Sequence, residues 1–262
     1  MQAGTDAMTD LRNFDKPLVM IGCGNMAGAM LSRWLGCGLA AGRVTVVDPG
    51  IAAAPEGVRL VRELPGALPD DGIIVLGIKP QLLPDLAPRL APLLRGGHVI
   101  ISMLAGVTVA RLGEALGDRA SIVRIMPNTP VALGQGVCAL YADPRTSEAA
   151  RTAAQTLLSP LGTAEWIAQE EALNLVPALT GCGPAFVYRF IDAMAQAAMA
   201  LGMDEAQAQR FAIATVQGSA NLAAQAGESP AMLAERVASK GGMTREGLDV
   251  LDADKRLVRL MT

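Results

Sequence analysis

Apolar positions fall along this chain in two rhythms. Through the first two thirds, short runs rich in Val, Ile and Leu alternate with stretches in which apolar residues recur every three or four positions. The runs predict strands over 17–22, 43–48, 58–61, 73–78, 98–102, 121–126, 136–141 and 163–168. The periodic stretches predict helices over 25–37, 80–94, 108–116 and 146–158. Runs apolar throughout belong to strands buried on both faces, and strand–helix alternation is the mark of a doubly wound parallel sheet, so the fold class is α/β. One connection breaks the rhythm. The segment 49–57 holds nine residues, among them Pro49, Gly50, Pro55 and Gly57, whereas a parallel crossover takes a dozen or more. The crossover helix there is either lost or a single turn.

After Glu170 the strand signal stops, and helices are predicted over 170–179, 184–202, 204–226, 229–238 and 244–260. The helix 184–202 is apolar on nearly every face, through Phe186, Val187, Phe190, Ile191, Met194, Ala197, Ala198 and Leu201. Such a helix must be buried all round. Five helices leave little room for that in one chain, so its burial is expected in a partner chain. The pattern thus divides the chain into a leader, 1–16, a sheet-containing domain, 17–168, and an all-helical domain, 169–262.

Composition narrows the field. Hydrophobic residues are 51% of the 262 but aromatics only 3%, so the core is built from Ala, Val, Leu, Ile and Met. The net charge of -3, with no basic block, argues against a nucleic-acid partner. Arg189, Asp192 and Gln196 inside the most apolar helix argue against a membrane span. The first sixteen residues are polar and acidic, unlike a signal peptide, and read as a loose leader with Met8 as an alternative start. Cys23, Cys37, Cys138 and Cys182 show no paired spacing, and His98 is the lone histidine. No metal-ligand set can be assembled from these, and a reduced, cytoplasmic setting is expected. His98 opens a strand and reads as a structural strand-end residue.

The chemistry-bearing motifs sit where strands end. Gly22-Cys23-Gly24-Asn25-Met26-Ala27 has the form G-x-G-x-x-A between a strand and a helix, and Asp48 ends the next strand. The first glycine permits a tight turn, the second lets backbone approach a pyrophosphate, and Ala27 lets helix and strand pack closely. A helix N-terminus there suits phosphate. This is the signature of a dinucleotide site. Gly77-Ile78-Lys79-Pro80 and Ser102-Met103-Leu104-Ala105-Gly106 leave later strands at the same edge, the latter with small residues against which a nicotinamide ring can lie flat. Arg124 to Pro130 supplies Asn128 and Thr129 at another strand end. In the helical half, Thr180 to Ala185 opens the apolar helix and Ser239-Lys240-Gly241-Gly242-Met243-Thr244 opens the last one. Two glycines before a helix expose successive amides at its positive end, an anion seat to which Ser239 and Thr244 add hydroxyls.

Taken in order, these segments resemble pyrroline-5-carboxylate reductase over residues 17 to 260. The resemblance implies a Rossmann domain followed by a helical domain that interlocks with a second protomer, giving an obligate dimer that is often assembled further into a decamer. It implies reduction of the cyclic imine 1-pyrroline-5-carboxylate to proline by NADH or NADPH. Gly22 to Ala27, Asp48, Gly77 to Pro80, Met103 to Ala105 and Asn128 would meet the cofactor. Glu170, Ser239 and Gly241 to Thr244 would meet the substrate, whose carboxylate is expected on the amides of Gly242, Met243 and Thr244. The Thr244 hydroxyl would hold the ring nitrogen. Glu170 could equally be a carboxylate favoured by the dipole of a helix start. The family usually reads S-P-G-G-T-T at the last motif, so Lys240 and Met243 depart from it, as does Phe186, where tyrosine is common. An asparagine expected near the adenosine is not evident around Glu63 to Pro65. Asp48, if it faces the ribose, favours NADH, because it would repel a 2′-phosphate. Two other readings stay open. A 3-hydroxyacid dehydrogenase of similar architecture needs a general base, usually a lysine in the helical domain, and neither 184–202 nor 204–226 contains one. A non-catalytic dinucleotide sensor is the other, and within the reductase reading a related cyclic imine, such as a six-membered ring, stays open as substrate.

Overall fold

The computed structural model describes residues 10–261. By contacts the chain divides into two compact units, Met1–Pro184 and Ala185–Thr262. In the first, eight strands form one sheet: β1 (Leu18–Ile21), β2 (Val44–Val47), β3 (Arg59–Val61), β4 (Ile73–Leu76), β5 (Val99–Ser102), β6 (Ser121–Pro127), β7 (Gly136–Ala142) and β8 (Gly162–Trp166). Their order is β3-β2-β1-β4-β5-β6-β7-β8. The first six are mutually parallel, with Leu18 opposite both Val44 and Ile73. The last two run the other way, because β7 pairs antiparallel with β6 and parallel with β8. The cause is local. Only residues 128–135 connect β6 to β7, which is too short for a parallel crossover.

Four helices flank the sheet: α1 (Asn25–Gly36), α2 (Leu83–Leu90), α3 (Val109–Leu116) and α4 (Glu148–Leu158). The alternation of side chains along each strand sorts the core into two layers. Leu18, Met20, Ile73, Val75, Val99 and Ile101 pack with Trp34 of α1 and Leu157 of α4 on one face. Val19, Ile21, Ile74, Leu76 and Ile100 pack with Leu90 of α2 and Leu112 of α3 on the other. Trp34, fully buried, donates its indole N–H to the Leu157 carbonyl at 2.6 Å.

The periodicity misjudged several elements. Residues 80–94 form not one helix but α2 flanked by the tight turns Pro80–Leu82 and Ala91–Leu93. Prolines at 80, 84, 88 and 92 remove amide donors at every fourth position. The crossover after β2 has no helix, the first of the two outcomes its nine residues allowed. Residues 170–181 hold a tight turn, Glu170–Asn174, and a wide turn, Pro177–Gly181, closed by the Cys182 amide on the Pro177 carbonyl at 2.9 Å. Residues 10–16, expected to be loose, are anchored: Leu11 is fully buried, its N–H bonds the Cys37 carbonyl at 2.8 Å, and Phe14 packs on the core. The rest of the expected leader, with Met8, lies outside the described residues. His98 is structural. Buried, it accepts the Arg95 amide on Nδ1 at 2.9 Å and sets Nε2, by that assignment the protonated nitrogen, against the Pro69 carbonyl at 2.9 Å.

The second unit is helical: α5 (Gly183–Ala200, begun two residues earlier), α6 (Glu205–Gln225), α7 (Pro230–Val237), α8 (Met243–Asp252) and α9 (Arg256–Met261). The helix expected over 244–260 is broken into the last two by Asp254 and Lys255, both with φ of 54°, which ends the α-helical ladder. The buried cluster here is only Ala195, Ala208 and Ala212, with Ile191, Met194, Ala198 and Met199 half-buried around it. Phe186, Tyr188, Phe190 and Phe211 lie about half exposed in the single chain. Fully burying one such side chain contributes about 1.5–3 kcal/mol, so this unit is underpacked without a covering surface. Among the described residues no helix is long and apolar enough to cross a membrane. The melting temperature is therefore expected to rise with protein concentration, as binding of a second copy to the folded state requires. A midpoint constant across a hundred-fold dilution series in calorimetry would show that one chain suffices.

Candidate functional site

The ends of the central strands are tied into a row. Beyond the ladder, Asp48 N–H bonds Val61 O at 3.0 Å, Gly22 N–H bonds Val47 O at 2.9 Å, Gly77 N–H bonds Ile21 O at 2.8 Å and Met103 N–H bonds Leu76 O at 3.2 Å. Each bond carries the sheet one residue past its strand and brings four expected positions side by side. Gly22, with φ of 85°, lies so close to its neighbour that a Cβ there would sit 2.8 Å from the Gly77 carbonyl carbon and the Ile78 nitrogen. A Cβ on Gly77 would in turn stand 2.6 Å from Gly22 O, 2.9 Å from the Ala27 Cβ and 3.1 Å from the Met103 methyl. Gly24 is different, because a Cβ there would meet nothing within 4 Å. It caps α1 without any side-chain hydrogen bond, and no acidic residue stands in the first turn. The turn thus holds backbone against backbone on one side and uncapped amides over open space on the other. That is the cradle a pyrophosphate requires.

Asp48 closes the turn from the side. Its Oδ2 accepts the Cys23 amide at 2.7 Å, and its Oδ1 accepts the amides of Gly50 at 2.7 Å and Ile51 at 3.3 Å. Burial raises its pKa, but the three amides and the charge of Arg62 outweigh this and hold the carboxyl below its ordinary range. Burial, with Asp48 nearby, pushes the Cys23 thiol up, which works against the thiolate form. A cleft of ≈470 Å³ opens here, lined by Gly22, Gly24, Asp48, Gly77 and Ile78 together with Arg62, Leu64, Leu82, Leu86 and Arg89. The sequence had not singled out the last five. Arg62 and Leu64 follow the helix-less crossover, and only the pairing of β3 with β2 carries them here.

Other expected residues hold other posts. Lys79 is exposed and its carbonyl accepts the Leu82 amide at 3.0 Å, while Asn25 and Ala105 are exposed at the strand-end edge and Met26 is half-buried. Leu104 is buried in the core. Asn128, read as a cofactor contact, is buried with its amide engaged inside the protein. It donates to Thr180 O at 2.9 Å and accepts from Val137 N–H at 2.7 Å, clamping the wide turn to the start of β7. Glu170, read as a substrate contact, takes the Arg124 guanidinium at 2.7 Å and the Val109 amide at 2.6 Å on Oε1. It does serve a helix start, but that of α3 rather than its own. Arg124 is 3% exposed and Glu170 16%, so the pair is largely removed from water.

In the helical unit, the Gly242 amide bonds Ser239 O at 3.0 Å and Gly241 has φ of 73°, forming a tight turn that leads into α8. A Cβ on Gly242 would lie 2.5 Å from the Ser239 hydroxyl. No side chain caps α8. The carboxylate seat expected on three amides therefore reduces to those of Met243 and Thr244, because the Gly242 amide is already paired. Lys240, Met243 and Thr244 are exposed. Arg245 pairs with Glu235 of α7, which holds the end of α7 against the start of α8. Among the described residues no group of three His, Cys, Asp or Glu could hold a metal ion.

A family model described as pyrroline-5-carboxylate reductase dimerisation matches residues 170–261. One described as NADP oxidoreductase, coenzyme F420-dependent, matches residues 17–106. The pyrroline-5-carboxylate reductase of Pseudomonas aeruginosa is 34% identical over 242 residues, covering 90% of this chain and 89% of that protein. That of Vibrio alginolyticus is 32% identical over 239 residues, covering 89% and 88%. Among solved structures, a pyrroline-5-carboxylate reductase from Coxiella burnetii superposes with a TM-score of 0.85 at 28% identity, over 94% of this chain and 93% of that one.

Two substitutions test this geometry. Gly22→Ala adds a methyl group against the Gly77 backbone at a φ that L-residues resist. Its strain of about 1–3 kcal/mol should appear as a roughly ten-fold or greater loss of dinucleotide affinity in a fluorescence titration. Glu170→Ala leaves Arg124 buried and unpaired, which should lower unfolding free energy by about 3–5 kcal/mol in urea. A loss below 1 kcal/mol would show that water reaches the guanidinium.

Proposed function

The chain belongs to the pyrroline-5-carboxylate reductase family, and we propose on that basis that it reduces 1-pyrroline-5-carboxylate to L-proline, the last step of proline biosynthesis, with NADH or NADPH as reductant. The observation that carries this reading is the pairing, in one chain related along nearly its whole length, of an open glycine cradle at β1 with an uncapped glycine-preceded helix start at α8. Bound reduced nicotinamide nucleotide supplies the hydride for the imine carbon.

The protein's own share is placement. Gly22 and Gly24 admit the pyrophosphate, and the N-terminus of α1 bears its charge. Asp48 holds the turn in shape through the Cys23 amide. Gly77, Ile78 and the Met103–Ala105 loop provide small backbone surface for the nicotinamide end. The substrate carboxylate sits on the amides of Met243 and Thr244, with Ser239 shaping the turn. The Thr244 hydroxyl holds the ring nitrogen, accepting from a protonated imine or donating to a neutral one. A protonated cyclic imine is already electrophilic, so one hydride completes the change from C=NH+ to CH–NH, whereas a neutral imine takes one proton from solvent as well. Orientation at near-attack distance then supplies several kcal/mol of the barrier reduction.

The functional division is proposed at 168/169, supported by the end of β8 at Trp166 and by the dimerisation match that begins at residue 170. That match and the underpacked helices support a homo-oligomer. An interlocked dimer, with assembly to a decamer, extends that reading. Four unpaired cysteines support work in a reducing cytoplasm.

The direct assay follows NADH and NADPH oxidation with 1-pyrroline-5-carboxylate, its six-membered analogue and a 3-oxoacid side by side. Turnover of the five-membered imine is expected. Turnover of the 3-oxoacid alone would assign the chain to hydroxyacid dehydrogenases, and binding without turnover to sensors. Thr244→Val should lower kcat roughly ten- to hundred-fold, the value of a hydrogen bond to a charged group, while leaving thermal stability unchanged. Full turnover in that variant would remove Thr244 from the reaction.

A further inference from the structure

We propose that Arg62 selects the phosphorylated cofactor, by taking the 2′-phosphate of NADPH on the free edge of its guanidinium. The inference rests on the nucleotide reading of the β1–β4 cleft and goes beyond it by naming the residue that decides between the two reductants.

The short crossover sets the arrangement. Because residues 49–57 form no helix, several of their carbonyls have no helical partner, and Arg62, just past β3, supplies donors to them. Its Nη1 donates to Asp48 O at 3.1 Å, to Pro49 O at 3.4 Å and to Ile51 O, and its Nη2 donates to Ala52 O at 3.3 Å. All of these acceptors are neutral, and no carboxylate forms an ion pair with Arg62 among the described residues. Three of the five guanidinium N–H groups are enough for these bonds. The Nε–H and the adjacent Nη2–H remain, and they form the side-on fork that matches two oxygens of a phosphate. The guanidinium is fixed by backbone, so little freedom is lost when that fork is filled.

Its place is the one the extra phosphate would occupy. The residue that ends the second strand of such a fold meets the adenosine ribose. Here that residue is Asp48, whose carbonyl accepts from Arg62 and whose side chain lines the same cleft. The sequence alone suggested that Asp48 repels a 2′-phosphate. In the folded protein both its oxygens are turned onto amides of Cys23, Gly50 and Ile51, and a cation stands beside it. The repulsive charge of Asp48 is thus offset with Arg62 beside it, while the exposed carboxylates of Glu63 and Asp85 also line the cleft. Arg89, on α2, is the other cation of the lining, exposed and with no ion pair among the described residues.

The test is calorimetric binding of adenosine 2′,5′-bisphosphate and adenosine 5′-monophosphate to the full-length protein, alongside NADPH and NADH. The wild-type protein should bind the bisphosphate at least roughly ten-fold more tightly, as a charge-assisted fork implies. Arg62→Gln should erase that preference while 5′-monophosphate affinity stays within about two-fold, and Arg62→Lys should restore part of it because the charge remains. Equal weakening of both ligands in Arg62→Gln would overturn the proposal, since it would mean that Arg62 only pins the loop. A wild-type preference for the monophosphate would overturn it too. So would loss of the preference in Arg89→Gln but not in Arg62→Gln. If neither adenosine ligand nor either dinucleotide bound, the nucleotide reading itself would fall, and this inference with it.

Discussion

The approach of Gly22 to Gly77 sets most of what the sheet unit can do. β1 and β4 are neighbours across the point where the strand order turns. A crevice must open there, because the connections leaving the two strands depart toward opposite faces. The two glycines let these connections touch backbone to backbone before they part. Ala27 and Met103 then pack against the same point, which fixes the start of α1 and the loop after β5 relative to it. A side chain at either glycine would push the strand ends apart and spread the hydrogen-bonded row through Asp48, Gly22, Gly77 and Met103.

Charges in this unit are held by backbone more than by one another. Asp48 is met by three amides, Arg62 by four carbonyls, and Glu170 by an amide as well as by Arg124. Peptide groups cannot swing away as long side chains do, so each charge is fixed where it is needed. The pair Arg124–Glu170 ties β6, α3 and the turn after β8 together at little exposure. The helical unit follows another economy. Its buried centre consists of alanines, its aromatic side chains are half exposed, and no side chain caps the start of α8.

All eight expected strands formed; the central ones were legible because burial on both faces leaves a dense apolar run, while β3 and β8 are only partly buried. The glycine turn was legible because tight backbone geometry admits few residue types. The helix breaks at Asp254 and around the prolines of α2 were not, because apolar periodicity continues through a kink. The reversal of β7 was hidden as well. A strand's direction is a property of its neighbours and of the length of its connection, while its own composition is the same either way.

The candidate site divides along the same line. Local composition was enough to mark the tight backbone at Gly22 and the turn from Ser239 to Gly242, since such backbone geometry admits only certain residues. Side chains whose role depends on what lies opposite could not be read in this way. Glu170 and Asn128 carry groups fit for a ligand, yet folding brings Arg124, Val109, Thr180 and Val137 within reach of them first. Arg62 carried no signal at all, and it gained its place when β3 paired with β2 across a crossover too short for a helix. Backbone conformation is encoded within a few residues, whereas a side chain's partner is chosen by contacts distant in the chain, and only the closed fold brings those together.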